Sequence, residues 1–277
     1  MTARLLEGRP VADAIWRDVE QRATAFSAAA GRAPVLGVVG GADESAMAYA
    51  RQIERQFGRR GLRVVSSVCS DDFSARVRAL SSDRAIDGVL LLTPLPPGID
   101  IDALNPLIEP AKDVDGQHPY NLGRLVQRKP GFAAATALGG MRLLEHYAVP
   151  LRGARAVVVG RSSVVGLPLA LLLVDADASV SVCHSRTRDL AEITRQADVL
   201  CVSVGLPHLI GAEDVRPGAV VVDFGTNPAA DGAMLGDVQT EPVGQVAAAI
   251  TPVPGGTGPI TVAVLAQQTV RAAESHL

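Results

Sequence analysis

The chain has 277 residues and carries 26 Lys and Arg against 29 Asp and Glu, which gives a formal net charge of −3. This near-neutral balance, with aromatic residues at only 3%, argues against a nucleic-acid-binding protein. The sequence contains no uninterrupted run of about 18 apolar residues, so it predicts no membrane span. Hydrophobic residues at 48% and charged residues at 20% are typical of a globular protein with a buried core.

The first ninety or so residues alternate between helical and strand-like patterns. Apolar residues at helical spacing predict an opening helix, and short apolar runs bounded by Gly or Pro predict strands. Together they indicate a parallel α/β unit. The predicted elements are helix Val11–Ala30, strand Val35–Val39, helix Glu44–Arg60, strand Leu62–Cys69, helix Ser74–Leu80 with Ser70–Asp72 as its cap, and strand Gly88–Leu92.

The next stretch, Asn105–Pro130, is rich in Pro, Gly, Asp and Asn, has no sustained period, and is predicted to be a functional loop. After it the alternation resumes, which predicts a second α/β domain of Rossmann type. Its predicted elements are helix Leu138–Tyr147, strand Ala156–Val159, helix Val165–Val174, strand Ser179–Cys183, helix Asp189–Gln196 and strands Val199–Val204 and Ala219–Val222.

The segment from Gly160 to Pro168 has the form of a nucleotide loop between a strand and a helix. Gly160 allows the chain to turn off the strand, and Gly166 allows the helix to approach the sheet closely. We expect free N–H groups in the first helical turn to face an anion. Because the spacing is G-x-x-x-x-x-G and not G-x-G-x-x-G, a turn that binds no ligand remains an alternative.

The end of the following strand bears on the choice of cofactor. NAD sites place a carboxylate there to bind the ribose hydroxyls. Here Cys183 is followed by His184-Ser185-Arg186-Thr187-Arg188, which contains none. Hydroxyl and guanidinium groups suit a 2′-phosphate, so the pattern favours NADP over NAD, although a solvated helix entrance is also compatible with it.

Along nearly its whole length the sequence resembles the bifunctional 5,10-methylenetetrahydrofolate dehydrogenase/methenyltetrahydrofolate cyclohydrolase family. Two long signatures, with the glycine loop between them, make this resemblance specific. The segments that carry it are Lys112–Gly123 (K-D-V-D-G-Q-H-P-Y-N-L-G), Gly160–Pro168, Cys183–Thr187, Gly236–Val238 and Thr251–Thr261 (T-P-V-P-G-G-T-G-P-I-T).

The resemblance implies a fold and a set of site residues. The fold is α/β: a three-layer N-terminal folate domain (residues 1–137, with a C-terminal helix at 262–277 returning to it), a Rossmann NADP-binding domain (138–261), and a folate cleft between them. The family is homodimeric. Asp115 is implied to bind the pterin amide edge and Tyr49 to stack on the folate. The other implied contacts are Pro252, Gly255 and Gly256 beside the pterin and nicotinamide, and Gly160, Arg161, Ser162, Val165, Gly166, Ser185, Arg186 and Thr226 for the cofactor.

The chain departs from the family where the family hydrolyses the methenyl cation. That step uses a Lys four residues after the Tyr, assisted by a Gln in a Q-x-P-x-P segment, since a desolvated Lys can lower its pKa toward neutrality. Here Ile53 stands at the Lys position (Gln52 in a shifted alignment) and Leu92 at the Gln position. A P-C-T-P turn is also replaced by Ala134-Ala135-Thr136-Ala137.

We therefore expect an NADP-dependent methylenetetrahydrofolate dehydrogenase whose cyclohydrolase activity is lost or strongly reduced. Three alternatives remain open. One is the full bifunctional enzyme, with His118 or His146 replacing the Lys. Another is a non-catalytic folate- or nucleotide-binding relative, and the third is an enzyme that handles a related one-carbon adduct.

Cysteine and histidine spacing bears on metal content and compartment. Cys69, Cys183 and Cys201 are odd in number and form no C-x-x-C pair, and the opening residues lack the apolar segment of a signal peptide. The five His share no ligand spacing with the Cys. We expect a cytoplasmic protein with no metal site.

Overall fold

The computed structural model describes residues 2–69 and 71–277, which form two compact α/β units. The nucleotide unit comprises the chain up to Ala12 and Thr136–Thr261, and the catalytic unit comprises Asp13–Ala135 and Val262–Leu277. The α/β fold with parallel sheets that the sequence predicts is confirmed. The expected domain boundaries place the first twelve residues differently, because those residues contribute an edge strand to the sheet of the nucleotide unit.

The strands form two parallel sheets and one short antiparallel pair. The nucleotide unit holds the sheet β1-β11-β8-β7-β5-β6 and the pair β10-β9, and the catalytic unit holds β3-β2-β4. The strands are β1 (Arg4–Leu5), β2 (Val35–Gly40), β3 (Arg63–Val68), β4 (Gly88–Leu91), β5 (Arg155–Val159), β6 (Ser179–Cys183), β7 (Val199–Val202), β8 (Val220–Asp223), β9 (Asn227–Pro228), β10 (Met234–Leu235) and β11 (Ala249–Ile250).

The helices connect these strands in βαβ units, and short 3-10 turns occur at Asn105–Leu107 and Ala212–Asp214. None of the helices in the described ranges combines the length and hydropathy that crossing a bilayer requires. The helices are α1 (Gly8–Ala30), α2 (Glu44–Gly58), α3 (Phe73–Ser82), α4 (Ile101–Leu104), α5 (Pro119–Val126), α6 (Ala135–His146), α7 (Gly166–Asp175), α8 (Leu190–Thr194), α9 (Thr240–Val243) and α10 (Gly258–Glu274).

The order of the six-stranded sheet fixes where a ligand can bind in the nucleotide unit. Strand β5 lies between β6 and β7, so the chain steps to one side of β5 and then crosses to the other. The ends of β5 and β7 are in register, with Val159 opposite Val202. A parallel sheet binds its ligands outside the carboxyl ends of its strands at such a reversal. The residues that directly follow β5 and β7 therefore stand at the predicted nucleotide position.

Several predicted elements need correction. The loop expected at Asn105–Pro130 contains α5, which Pro119 begins and His118 caps by accepting the Tyr120 N–H at 2.9 Å. The two-residue strands β1 and β11 escaped prediction, since a pair of residues carries no period. Helix α3 is capped by Asp72, whose carboxylate accepts the Ala75 N–H at 2.8 Å, while Ser70 lies outside the described residues.

Candidate active site

The turn that leaves β5 is built around two glycines. Gly160 has a φ of +129°, and a Cβ there would lie 2.3 Å from the carbonyl oxygen of Ser203, which follows β7. A Cβ on Gly166 would lie 2.3 Å from the Gly160 carbonyl oxygen. Side chains at these positions would overlap backbone atoms at the sheet reversal. The predicted glycine roles therefore match the local geometry.

The start of α7 differs from the expectation of free N–H donors. The Ser162 hydroxyl accepts the Val165 N–H at 3.1 Å and the Gly166 N–H at 3.4 Å, and the Ser162 carbonyl accepts the Leu167 N–H at 3.0 Å. These three donors are already used within the chain, so the expectation is wrong for them. A serine placed before a helix accepts such N–H groups readily, which is why it organises this turn.

The end of β6 presents polar groups to solvent. Ser185 and Arg186 are exposed, as is Arg161 in the first loop. His184 turns the segment by accepting the Arg186 N–H at 3.1 Å through Nδ1. In the described part of the chain neither Arg161 nor Arg186 pairs with a carboxylate, so both guanidinium groups can bind an anion.

Two further loops lie at the carboxyl end of the same sheet. Thr226 is exposed just after β8. In the loop after β11, Gly255 has a φ of +108°, and a Cβ on Gly256 would lie 2.6 Å from the Pro252 carbonyl oxygen. Gly8, at the start of α1, donates its N–H to the Gly255 carbonyl at 2.8 Å. In the Pro252–Gly256 loop, Gly255 is thus required by its backbone conformation and Gly256 by a close contact.

In the catalytic unit, Tyr49 on α2 and Asp115 are both half-buried. The Asp115 carboxylate accepts the Ala135 N–H at 3.0 Å. Burial raises the pKa of Asp115 to about 7, and the charge of Asp113 adds to the rise. Burial and the charge of Asp115 also raise the pKa of the Tyr49 phenol. The two side chains are close enough to interact electrostatically.

Ile53 and Leu92 are apolar and buried. Ile53 lies one helical turn after Tyr49 and is 0% exposed, and Leu92, just after β4, is 3% exposed. The N–H of Leu92 bonds the Val39 carbonyl at 2.8 Å, and the Leu92 side chain packs against Gly40. Neither side chain can accept or donate a proton. These two positions of the catalytic unit are therefore apolar where the resemblance implies a Lys and a Gln.

The other polar residues of the Lys112–Gly123 signature have structural partners. Lys112 Nζ donates to the carbonyls of Ser81 and Asp83 at 2.8 and 2.7 Å, and burial lowers its pKa. The Asp113 carboxylate accepts the Gln117 and His118 N–H groups at 3.0 and 2.8 Å. Lys112 and Asp113 thus organise the loop, while Asp115 retains an oxygen for which no bond within the chain is found among the described residues.

His118 and His146 were the candidates to replace the family's Lys. His118 uses Nδ1 to cap α5, and His146, in the nucleotide unit, packs edge-on against Tyr147 with ring centroids 5.0 Å apart.

Across residues 2–69 and 71–277, no three His, Cys, Asp or Glu side chains are grouped to hold a metal.

Two residues of this region were given no role from the sequence. Asp223 ends β8 and is 1% exposed, and Asp237, in the Gly236–Val238 segment, is 0% exposed. Burial raises the pKa of Asp223 to about 6. A carboxylate directly after the apolar run V-V-V is a signal that sequence reasoning could have used, because the end of a buried parallel strand lies at the binding edge of a sheet.

Comparison with known proteins gives the same family for both units. The family model described as the catalytic domain of tetrahydrofolate dehydrogenase/cyclohydrolase matches residues 6–115, and that described as its NAD(P)-binding domain matches 134–277. The chain is 44% identical to the bifunctional protein FolD of Chloroflexus aggregans, over 100% of this chain and 99% of the relative.

Solved structures agree. The bifunctional FolD methylenetetrahydrofolate dehydrogenase/cyclohydrolase of Campylobacter jejuni has a TM-score of 0.95 and 35% identity, covering 99% of this chain and 100% of the other. The Trypanosoma brucei methylenetetrahydrofolate dehydrogenase-cyclohydrolase, solved with NADP and an inhibitor, has a TM-score of 0.93 and 33% identity, covering 100% and 99%.

Proposed function

Because the chain belongs to the tetrahydrofolate dehydrogenase/cyclohydrolase family, we propose that it oxidises 5,10-methylenetetrahydrofolate to 5,10-methenyltetrahydrofolate with NADP⁺ and has lost most or all cyclohydrolase activity. The proposed dehydrogenase activity is supported by the glycine turn at the sheet reversal. The proposed loss of cyclohydrolase activity is supported by two buried apolar side chains, Ile53 and Leu92.

Several features fit an NADP cofactor in the nucleotide unit. Gly160 and Gly166 allow the close backbone contacts of the turn that leaves β5, and the buried Ser203 hydroxyl beside Gly160 has no hydrogen-bond partner within the described residues. Arg161 and Arg186, exposed with free guanidinium groups, provide the charge and planar donors that a phosphate monoester binds best. The five residues that follow β6, His184–Arg188, include no carboxylate to repel that phosphate.

The chemistry asks little acid or base catalysis of the protein. When bound, the cofactor supplies the acceptor for the hydride that leaves the methylene carbon of the substrate, whose nitrogens then share the positive charge. The task of the chain is to orient the two reactants. Asp115, once ionised, can accept two parallel N–H donors from the pterin amide edge, and Tyr49 offers its ring for stacking on the folate.

Hydrolysis of the methenyl cation needs a group that moves protons, and general acid–base catalysis of this kind contributes about 10²–10⁴-fold. Ile53 and Leu92 offer no such group, and their burial excludes water from the place where a Lys and a Gln are implied. We infer that the methenyl product is released intact.

The full bifunctional enzyme is the second candidate, favoured by the names of relatives such as the Chloroflexus aggregans protein. It requires another group to replace the Lys. Within the Lys112–Gly123 signature the candidate is His118. Its Nδ1 is used in the α5 cap, so only Nε2 is left to move a proton.

We also propose that the protein is a cytoplasmic homodimer. Strand β6 is one edge of the six-stranded sheet, carries no charge, and exposes Ser181 and Val182. An uncharged exposed edge is suited to pairing with another chain. Light scattering should give twice the mass of the chain, and Val182→Lys should give the monomer.

The cytoplasmic part of the proposal is supported by the three cysteines, which are free and buried, as is usual in a reducing compartment.

Two assays on purified protein test the main proposal. NADPH formation from methylenetetrahydrofolate should be readily measured with NADP⁺ and weaker with NAD⁺; no formation with either contradicts the dehydrogenase assignment. Methenyltetrahydrofolate should decay at the spontaneous rate, and acceleration of about 10²-fold or more would contradict the loss. The double variant Ile53→Lys/Leu92→Gln should gain hydrolysis, while the apolar control Ile53→Met/Leu92→Met should not.

A further inference from the structure

Two carboxylates without a cation lie beneath the loops of the nucleotide unit. In the described ranges no Lys, Arg or His forms an ion pair with Asp223 or Asp237, and both are almost fully buried. Burying a charge with no counterion is costly, and apolar side chains of similar size would stabilise a sheet edge more cheaply. The retention of both carboxylates at this edge therefore needs a reason other than packing.

Among the described residues, the backbone hydrogen bonds that these carboxylates accept come from loops at the carboxyl end of the sheet. Asp223 accepts the N–H groups of Gly225 at 2.7 Å, Asp237 at 3.1 Å and Val238 at 2.9 Å. Asp237 in turn accepts the N–H groups that directly follow Ser203, those of Val204 at 2.7 Å and Gly205 at 3.0 Å. The pair thus ties the loop after β7 to the loop after β8.

Thr226 lies between two of these anchors. On its amino side Gly225 is bound by Asp223, and on its carboxyl side Asn227 donates Nδ2 to Asp237 Oδ1 at 2.9 Å. A Cβ on Gly225 would lie 2.3 Å from the Asp237 N, so the loop follows the carboxylates closely. The position of Thr226 is therefore set on both sides by bonds to the buried carboxylates of Asp223 and Asp237.

The same pair reaches the Pro252–Gly256 loop through the backbone of Asp223. The Asp223 N–H donates to the Thr251 hydroxyl at 2.8 Å, and the Thr257 hydroxyl donates to the Asp223 carbonyl at 3.2 Å. These two threonines bracket the loop. The backbone of Asp223 therefore bonds to both ends of the Pro252–Gly256 loop, whereas the carboxylates of the pair bond to the loops after β7 and β8.

We propose that Asp223 and Asp237 are positioning residues whose carboxylates hold Gly205 and Thr226 in the conformation that binds the dinucleotide. This rests on the proposed function, since it concerns the same nucleotide site. It requires that weakening the pair reduces cofactor affinity more than it reduces stability or turnover.

The test is Asp237→Asn, which keeps the size of the side chain. Its remaining oxygen can still accept from Val204 and Gly205, but its NH2 group opposes the Asn227 amide. We expect the Kd of NADPH, from fluorescence titration, and the KM for NADP⁺ to rise about tenfold, as for loss of one buried hydrogen bond. The kcat at saturating cofactor should stay within about twofold. The swap Asp237→Asn/Asn227→Asp restores a donor–acceptor pair and should recover at least half of the lost affinity on a logarithmic scale.

Asp198→Asn is the matched control. Asp198 belongs to the same unit but stands at the amino end of β7, where it accepts the Arg155 N–H at 2.8 Å and pairs with Arg216. It should lower the melting temperature and leave the Kd unchanged. An unchanged Kd in Asp237→Asn, an equal change in Asp198→Asn, or no recovery in the swap overturns the proposal.

If Asp237→Asn does not fold, Asn227→Ala removes the same hydrogen bond between Asn227 and Asp237 by changing Asn227, which is only half-buried. This variant should fold and should raise the Kd of NADPH. A wild-type Kd in Asn227→Ala would then overturn the proposal. Failure of the wild-type protein to bind NADPH would instead overturn the proposed function.

Discussion

The conformation of Gly160 gives a prediction that separates backbone strain from steric overlap. At a φ of +129° an alanine occupies a region that only glycine adopts freely, which costs about 1–3 kcal/mol. Its Cβ would also lie 2.3 Å from the Ser203 carbonyl oxygen, where real contacts stay above 3.0 Å. That oxygen belongs to the backbone and cannot rotate away, so overpacking adds about 1–3 kcal/mol. We expect Gly160→Ala to lose about 2–6 kcal/mol of unfolding free energy.

Gly153→Ala is the control for this prediction. Gly153 is in the same unit and has a φ of +75°, but no atom lies within 4 Å of the position of its missing Cβ. It therefore carries the backbone cost alone, about 1 kcal/mol. One kcal/mol shifts the melting temperature by about 2–4 °C for a protein near this size. Gly153→Ala should melt about 2–4 °C below wild type, and Gly160→Ala at least about 4 °C below wild type and at least about 2 °C below Gly153→Ala.

Thermal unfolding with and without NADPH measures both effects. NADPH should raise the melting temperature of wild type and of Gly153→Ala, because a ligand that binds only the folded state stabilises it. It should raise that of Gly160→Ala little, since the overlap with Ser203 displaces the turn where we propose that NADPH binds. If Gly160→Ala melts within about 2 °C of Gly153→Ala and responds equally to NADPH, the assigned overlap with Ser203 is wrong.

Three further predictions concern single charged groups. The pKa of Asp115 near 7 means that its carboxylate is lost as an acceptor below neutrality, so the KM for the folate should rise as the pH falls from 8 to 6, and Asp115→Asn should raise this KM and remove the pH dependence. The sign for stability is opposite: the folded state holds this proton at a higher pH than the unfolded state does, so the site's contribution to stability falls as the pH rises from about 4 to 7, and Asp115→Asn should be relatively most stable at pH 8 in urea unfolding. Arg186→Ala should reduce the preference for NADP⁺ over NAD⁺ about tenfold in kcat/KM, and an unchanged ratio would remove Arg186 from the phosphate site. Arg32 donates two bonds of 2.7 Å to Asp87, which is 0% exposed, so Arg32→Ala should cost roughly 2–3 kcal/mol in urea unfolding; a loss below about 0.5 kcal/mol would show that water replaces the guanidinium.

The spacing of apolar residues, together with the Gly and Pro residues that bound the elements, was sufficient to predict most of the fold. Strand β6 has the predicted bounds. Strands β5 and β7, which pair side by side, were predicted from continuous apolar runs, because strands of a parallel sheet are buried on both faces. Helix α5 was missed because its eight residues begin at a Pro and contain a Gly within a loop-like composition. What begins it is the His118 cap, a contact between a side chain and the backbone that composition does not reveal.

The site was predicted by residue type more successfully than by role. Asp113 and Asp115 are two residues apart and look alike in sequence, yet Asp113 accepts three hydrogen bonds within its own loop and Asp115 one. Ser162 is predicted to bind the cofactor, and its hydroxyl also accepts the Val165 N–H within the turn. Such differences depend on which atoms of the folded chain come within 3 Å of each other, which spacing in one dimension does not determine.

The burial of Lys112 limits the amine chemistry of this protein. The sequence has two lysines, and Lys112 Nζ is bound to two carbonyls beneath the surface, whereas Lys129 is exposed. Among the side chains, acylating reagents and lysine-directed crosslinkers should therefore react with Lys129 and spare Lys112, on a surface that is otherwise rich in arginine. Apart from the terminal amine, which such reagents also modify, a dye or resin would attach to the side chains at one point of the catalytic unit.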